Sequence, residues 1–297
     1  MIKPGFILID KPLKLSSQRV DTIIKKKYNL NKVGHLGTLD PLATGLLVVG
    51  LNEGCKYFKY FENLPKRYRL RIRLGATSTT LDNEGELSNL IDTDLRGKES
   101  YIDSILESFP KDYDQTPPIY SAIKKDGIPL YKYALKNKDV EIKKRHVSIY
   151  TLSRTSNIEY TQGSSYFYID LFVSKGFYIR SFAKELGDTL NIPSMADEIR
   201  RIEVGPFKIE NSISIDDEIN TILNPIDYLD FESIEIDDKL YKFIKNGSKL
   251  DKSITKKIKD YIILKHKDEN IAIYKYDSDE ELYRIDLMVK NENIIHQ

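Results

Sequence analysis

Between Arg67 and Leu74, arginine alternates without interruption with apolar or aromatic residues. Successive side chains of an extended strand point to opposite faces, so this pattern predicts a strand with one cationic and one apolar face. The cationic face carries Arg67, Arg69, Arg71 and Arg73, and the apolar face carries Tyr68, Leu70, Ile72 and Leu74. The apolar face has to be buried, which requires a sheet covered on this side. Four arginines on the other face favour contact with nucleic-acid phosphates, although an ordinary solvent-facing surface is also polar.

Local patterns elsewhere predict further strands and helices in one large domain. Apolar or alternating runs predict strands at 6–9, 46–51, 147–152 and 166–173. Ser16 or Ser17 offers the N-cap of a helix that ends near Tyr28. Apolar residues three and four positions apart predict helices at 99–109 and after residue 180.

An acidic stretch at residues 216–238 marks the predicted boundary between two domains. Beyond it lie the turn-forming pair Asn246-Gly247 and two strand-like runs at 270–276 and 282–289. We therefore predict a large domain at 1–232 and a small β-rich domain at 233–297.

The composition excludes several classes of protein. Forty per cent of the residues are apolar and 31 per cent are charged, which is typical of a globular protein. Apolar runs are shorter than the roughly 18 residues that span a membrane, and the first residues lack the pattern of a signal peptide. Cys55 is the only cysteine, and the four histidines are scattered without zinc-ligand spacing. We expect a cytoplasmic protein without a metal or a membrane partner.

Charge is distributed unevenly along the chain. The formal net charge is +1, yet residues 1–80 carry 15 lysines and arginines against 5 acidic residues. A basic segment offset by acidic ones suggests a surface that binds a polyanion. The alternative for a short run such as Lys25 to Lys27 is a solvated helix face.

The stretch from Gly34 to Gly45 combines a carboxylate, an imidazole and three glycines. Pro41 biases Asp40 towards an extended conformation, and the apolar run 46–49 predicts a buried strand that supports the loop. Functional side chains are often presented on loops held by a rigid scaffold. An Asp-Pro pair in a glycine-rich loop is also typical of an ordinary turn, so spacing alone leaves both interpretations open.

The same stretch, extended to Leu47, resembles the signature of the TruB family of pseudouridine synthases. The resemblance covers residues 5–206 in five segments that follow the family order. The segments are Gly5 to Pro12 with Ser16-Ser17, the stretch at 34–47, Lys66-Arg67-Tyr68, Gln115 to Ala122, and Ser174 to Arg180. It implies an α+β pseudouridine synthase fold: a mixed, mainly antiparallel sheet with flanking helices, followed by a small PUA-like RNA-binding domain.

The resemblance also implies an activity and three catalytic residues. The expected reaction is the isomerisation of uridine 55 in the tRNA T-arm to pseudouridine, without cofactor or metal. Asp40 matches the catalytic aspartate, Arg180 the arginine that pairs with it, and Tyr68 the tyrosine that stacks on the flipped base. The alternatives are a structural ion pair for Arg180 and an ordinary core position for Tyr68.

Five further residues are expected to contact the substrate: His35, Asp82, Tyr178, Ile199 and Lys11. His35 matches a histidine that fills the space vacated in the RNA, so we interpret it as a wedge rather than as the partner of Asp40 in a catalytic dyad. The chain departs from the family pattern at Thr79, where aspartate is common, and at Phe177, where threonine is usual. Ile199 stands where leucine is usual.

Two other functions remain open at this stage. The protein could be an RNA chaperone that assists tRNA folding independently of catalysis, and the two roles can coexist. It could also resemble the related guide-RNA-dependent synthases, but the chain has no extended lysine-rich tail. We therefore expect a monomer that acts on tRNA without a guide RNA or protein partner.

Overall fold

The computed structural model of the protein describes residues 2–136 and 138–289. The chain forms two compact units, one comprising Ile2–Asn224 and the other beginning at Pro225. This division lies a few residues before the boundary predicted after residue 232.

The first unit is built on one large sheet flanked by helices. Its strands are β1 (Gly5–Lys11), β2 (Val33–Leu36), β3 (Ala43–Leu51), β4 (Lys66–Leu74), β5 (Thr77–Ser78), β6 (Leu87–Ser88), β7 (Asp112–Gln115), β8 (Lys124–Lys125), β9 (Ile128–Pro129), β10 (Arg145–Arg154), β11 (Glu159–Thr161), β12 (Ser164–Val173), β13 (Ser194–Val204), β14 (Phe207–Lys208) and β15 (Ile213–Ser214). Its helices are α1 (Ser17–Lys27), α2 (Phe58–Phe61), α3 (Glu99–Ser108), α4 (Leu130–Ala134) and α5 (Ile179–Leu190).

The main sheet is mixed and mainly antiparallel, as predicted. Its order is β15-β1-β3-β13-β4-β12-β10-β7, with β2, β11 and β14 paired to β3, β12 and β13. Two of its pairings are parallel, β1 with β15 and β3 with β13. The short hairpins β5–β6 and β8–β9 lie outside this sheet.

The apolar face of β4 lies in the core, which confirms the alternation. Leu70, Ile72 and Leu74 are fully buried, in one cluster with side chains of α1, α3 and α5. Burying such a side chain contributes about 1.5–3 kcal/mol, so this strip helps to hold the helices on the sheet. The predicted start of α1 is also confirmed, because Ser16 Oγ accepts a hydrogen bond from Arg19 N at 3.2 Å.

The opposite face of β4 differs from the expectation of a phosphate-binding row. Arg67 pairs with Asp170 at 2.7 Å and with Glu203 at 3.3 Å. Arg71 pairs with Asp197 at 2.9 Å and with Glu159 at 3.0 Å, and its guanidinium lies over the ring of Tyr166. Carboxylates from neighbouring parts of the chain therefore pair with two of the four arginines, whereas Arg69 is exposed, so this face does not present four unpaired cations.

Strand β13 was not predicted from the sequence, although it lies near the centre of the sheet. It pairs with β3 on one side and β4 on the other. Its eleven residues include five charged side chains, which obscure the apolar pattern expected of a central strand. One of these side chains, Arg201, is almost completely buried.

The second unit is small and β-rich, as predicted, and has its own apolar cluster. Its elements are β16 (Glu232–Glu235), α6 (Asp238–Lys245), β17 (Leu250–Asp251), β18 (Tyr261–His266), β19 (Glu269–Asp277) and β20 (Leu282–Met288). The strands form one sheet in the order β16-β18-β19-β20-β17. Strands β19 and β20 coincide with the two predicted runs. None of the helices within the described residues is long and apolar enough to cross a membrane.

Candidate active site

The loop that carries Asp40 joins two paired strands. Strand β2 pairs antiparallel with β3, so His35 lies opposite Val49 in a regular ladder rather than in the loop. The connecting segment runs from Gly37 to Leu42. Because both of its ends enter the same hairpin of the main sheet, the position of Asp40 depends on the sheet.

Three buried side chains anchor this loop through its backbone. Ser17 Oγ, on α1, donates to Leu39 O and accepts from Leu39 N, both at 2.9 Å. Lys11 Nζ donates to Pro41 O at 3.3 Å, and Arg201 Nη2 donates to Gly37 O at 2.9 Å. These hydrogen bonds restrain the residues on both sides of Asp40, which is the preorganisation that a reacting carboxylate needs.

Lys11 is fully buried behind the loop. Its ammonium also donates to Pro12 O at 2.9 Å and to Leu15 O at 2.6 Å. Burial lowers the pKa of Lys11 to about 8, although the nearby Asp40 carboxylate opposes this shift. All three hydrogen bonds go to backbone carbonyls, so these contacts tie the end of β1 to the loop.

Arg201 was missed by sequence reasoning as a site residue. Its Nε donates to Leu46 O at 2.9 Å, so the guanidinium bridges the start of β3 and Gly37. The backbone of Arg201 lies so close to Gly45 that a Cβ there would be 2.2 Å from Arg201 O. An Arg-Arg pair in a charged stretch is typical of a surface, and no sequence signal distinguishes this buried arginine from an exposed one.

Arg180, at the start of α5, forms the ion pair with Asp40 that the resemblance implies. Its Nη2 lies 2.8 Å from Asp40 Oδ2, and the arginine side chain is 7% exposed whereas the carboxylate is 42% exposed. Nη1 donates to Thr80 O and Nη2 to Tyr120 O, both at 2.9 Å. The two backbone carbonyls therefore fix the orientation of the guanidinium, while the Asp40 carboxylate remains partly exposed.

Asp82 is buried on the far side of the same guanidinium. Its Oδ2 lies 3.5 Å from Arg180 Nε, and its Oδ1 accepts hydrogen bonds from Thr80 Oγ1 and from Glu84 N. The pKa of Glu84 is raised by its partial burial and then by the carboxylates of Asp82 and Asp40. The structure thus places Asp82 against Arg180, in a group of carboxylates that share one cationic partner.

Asp40 lines a cavity of about 450 Å³. Of the residues that the sequence predicts for the site, the lining includes Asp40, Tyr68, Tyr178, Arg180 and Ile199. Tyr68 is mostly buried, on the apolar face of β4 opposite Leu171 and Arg201. Its ring can therefore serve as a stacking surface. Burial raises the pKa of Tyr178, so its hydroxyl keeps its proton at neutral pH.

His35 lies outside the residues that line the cavity, as do Asp82 and Lys11. The His35 ring is 15% exposed, and its Nδ1 lies 2.7 Å from Asp21 Oδ2 on α1. Its Nε2 lies 3.2 Å from Thr38 Oγ1. His35 therefore lies beside the loop. It is held there by Asp21, a residue that sequence reasoning did not identify.

Lys66 also lines the cavity and was not predicted as a site residue. Its Nζ donates to Leu64 O at 2.6 Å. Burial, followed by the positive charges of Arg201 and Lys175, lowers the pKa of Lys66 to about 8. Within the part of the chain that the structure describes, no three His, Cys, Asp or Glu side chains are grouped so as to hold a metal ion.

Comparisons with solved structures identify the fold. The chain superposes on a structure of an H/ACA ribonucleoprotein bound to a substrate RNA containing 2'-deoxyuridine, with a TM-score of 0.68 and 20% identity over 97% of this chain and 86% of that one. It also superposes on a Cbf5–Nop10–Gar1 complex, with a TM-score of 0.64 and 22% identity over 96% of this chain and 84% of that one. The architecture is therefore that of a pseudouridine synthase followed by a PUA-like domain.

Comparisons of sequence identify the family. The tRNA pseudouridine synthase B of Mycoplasma mycoides subsp. mycoides is 36% identical over 288 residues, which cover 94% of this chain and 95% of that protein. The tRNA pseudouridine synthase B of Borreliella burgdorferi is 35% identical over 90% of this chain and 93% of its own length. The model of the TruB family pseudouridylate synthase N-terminal domain matches residues 25–179. The chain thus belongs to the TruB family of pseudouridylate synthases.

Proposed function

We propose that this protein converts uridine 55 in the T-arm of tRNA into pseudouridine, with Asp40 as the catalytic residue. The observation that carries the proposal is the ion pair between Asp40 and Arg180 at the edge of a cavity that Tyr68 also lines. The two relatives described above are named tRNA pseudouridine synthase B, which supports tRNA as the substrate.

The target base has to leave the RNA stack before Asp40 can reach it. Base flipping costs a few kcal/mol, and stacking on an aromatic ring returns about 1–3 kcal/mol. The position of Tyr68 in the lining of a cavity of about 450 Å³, large enough for a nucleoside, supports this stacking role. The apolar side chain of Ile199 lines the same cavity.

The reaction is an isomerisation, so it needs no co-reactant. Asp40 acts covalently on the nucleotide while the bond between uracil N1 and the ribose C1′ breaks. The base then rotates and rejoins C1′ through its C5 carbon, and the proton leaves C5 while N1 gains one. Arg180 holds the Asp40 carboxylate in place throughout, and its own position is fixed by Thr80 O and Tyr120 O.

The decisive experiment compares Asp40→Asn with Asp10→Asn. Asp10 forms another Arg–Asp pair, 2.7 Å from Arg200, and it is 37% exposed, similar to Asp40. We expect Asp40→Asn to abolish pseudouridine formation on unmodified tRNA while its tRNA affinity stays within about threefold. Asp10→Asn should keep its activity. Turnover by Asp40→Asn at the wild-type rate would refute the proposed mechanism.

The same variant separates catalysis from a chaperone role. We propose that the protein acts in the cytoplasm as a monomer, without a guide RNA, so purified protein and tRNA should suffice for the reaction. Mapping pseudouridines in total tRNA with and without the protein tests the position of the modification. If Asp40→Asn restores the fitness of a deletion strain, the cellular role is independent of catalysis.

A further inference from the structure

Asp21 is a buried carboxylate on α1 that the proposed chemistry does not use. It follows Ser17 by four residues, so both side chains lie on the same face of the helix. Ser17 anchors the loop at Leu39, whereas Asp21 contacts His35 at the end of β2. Two side chains one turn apart thus hold the catalytic loop and the histidine that precedes it.

The hydrogen bonding of Asp21 is incomplete. Its Oδ2 lies 2.7 Å from His35 Nδ1, while its Oδ1 is buried and has no hydrogen-bond partner among the described residues. The residue is only 4% exposed. A buried carboxylate with an unsatisfied oxygen is destabilising, and an apolar side chain would pack here without that cost. Packing alone therefore does not explain an aspartate at this position.

The contact with His35 constrains the imidazole. An ionised carboxylate only accepts hydrogen bonds, so Nδ1 has to carry a proton and donate it to Asp21. The ring is then fixed in orientation, with Nε2 on the side of Thr38 Oγ1 at 3.2 Å. An unrestrained imidazole could rotate about its χ angles and exchange the roles of its two nitrogens.

We propose that Asp21 is a positioning residue that fixes the orientation and tautomer of His35 for insertion into the RNA. This inference rests on the proposed function and on the interpretation of His35 as a wedge that fills the space left by the flipped uridine. A wedge stabilises the flipped state only if it is already aligned when the base departs. Because Asp21 is buried, it can keep the ring aligned without occupying the surface that the RNA would contact.

The test is a double-mutant cycle between Asp21 and His35 under saturating tRNA. We expect Asp21→Leu to lower kcat about tenfold with KM within about twofold, because an aligned group is lost after binding. In a His35→Ala background the same substitution should have no further effect. Asp21→Asn keeps a carbonyl oxygen that can accept from Nδ1, so it should recover most of the rate. If Asp21→Leu does not fold, Asp21→Ala takes its place in the cycle.

Ser17→Ala provides the matched control on the same helix face. It loosens the loop at Leu39 without touching His35, so its effect on kcat should persist in the His35→Ala background. Nitrogen NMR of labelled histidine gives a readout independent of activity. Wild-type His35 should be protonated at Nδ1, and this signature should shift towards Nε2 protonation in Asp21→Leu.

Thermal unfolding completes the test. It verifies that Asp21→Leu is folded at the assay temperature, so that the fall in kcat is not a loss of native protein. A loss of rate that is undiminished in the His35→Ala background would overturn the inference, as would an unchanged His35 tautomer. Equal rates for all Asp21 variants in an active wild-type background would overturn it while leaving the proposed function intact. An inactive wild-type protein would overturn both.

Discussion

Arg180 Nη2 lies 2.8 Å from Asp40 Oδ2, and the buried arginine is held more firmly than the carboxylate it supports. The same guanidinium contacts Asp82 through Nε, and it donates hydrogen bonds to two backbone carbonyls, through Nη1 to Thr80 O and through Nη2 to Tyr120 O. A lysine carries the same charge but lacks the planar guanidinium, so it cannot make all of these contacts at once. The geometry of Asp40 therefore depends on arginine specifically.

We predict that Arg180→Lys lowers both activity and stability. The free energy of unfolding should fall by about 3 kcal/mol, the lower end of the range for a broken buried pair, since Asp40 is partly exposed. We expect kcat to fall by at least about 100-fold as Asp40 loses its orientation. Urea unfolding and single-turnover kinetics measure the two effects.

Arg154→Lys is the matched control for this prediction. Arg154 is 14% exposed and pairs with Asp103 through two nitrogens at 2.9 and 2.8 Å, away from the cavity. Its substitution should lower stability but leave kcat unchanged. Wild-type kcat in Arg180→Lys would show that the orientation of Asp40 does not depend on the planar guanidinium.

Gly45 should tolerate no side chain. Its φ is +100°, and a Cβ would lie 2.2 Å from Arg201 O across the parallel pairing of β3 and β13. Gly45→Ala should therefore cost about 3 kcal/mol or more through strain and overpacking. Gly97 has a φ of +75°, and no heavy atom lies within 4 Å of the added Cβ. A substitution there therefore measures the cost of backbone strain alone. Gly97→Ala should cost about 1–2 kcal/mol. Equal losses of stability in the two variants would contradict the steric argument.

Arg71, on the arginine face of β4, should contribute little to RNA binding. This side chain is already paired with Asp197 and Glu159, so releasing it to a phosphate would leave those carboxylates unpaired. Arg71→Ala should lower stability by about 1 kcal/mol and leave the salt dependence of tRNA affinity unchanged. Arg69 is the exposed arginine of the row, and Arg69→Ala is the variant expected to flatten the slope. A flatter slope in Arg71→Ala would restore the phosphate-binding interpretation for that residue.

Lys11 should make stability rise with pH in the alkaline range. Burial lowers its pKa to about 8 in the folded protein, whereas the unfolded chain retains the ordinary value of 10.5. Between these values the unfolded chain binds more protons, so stability increases as pH rises, by up to about 1.4 kcal/mol per pH unit. Lys11→Met should remove this increase, while Lys25→Met, on the exposed face of α1, should retain it. Urea unfolding at both ends of the window measures the difference. An unchanged slope in Lys11→Met would place the effect elsewhere.

The sequence alone determined the elements whose signals are local. The alternation from Arg67 to Leu74 specified β4 and its buried face, because a period of two can bury only one set of side chains. The spacing of Phe182, Leu186 and Leu190 likewise specified the covered face of α5. The likeness of separate short segments to one family brought Asp40, Tyr68 and Arg180 together as a hypothesis, although they are far apart in the chain.

Tertiary structure alone decided what each charged side chain meets. Arg71 and Arg201 both belong to stretches rich in charged residues, yet Arg71 is paired with carboxylates on a sheet face and Arg201 is buried beneath the loop that carries Asp40. The contact of Asp21 with His35 likewise depends on how α1 packs against β2. Periodicity predicts which face a side chain occupies, but its partners come from strands and helices distant in sequence. These partners determine whether an arginine is a phosphate ligand, half of an ion pair or an anchor of the loop that carries Asp40.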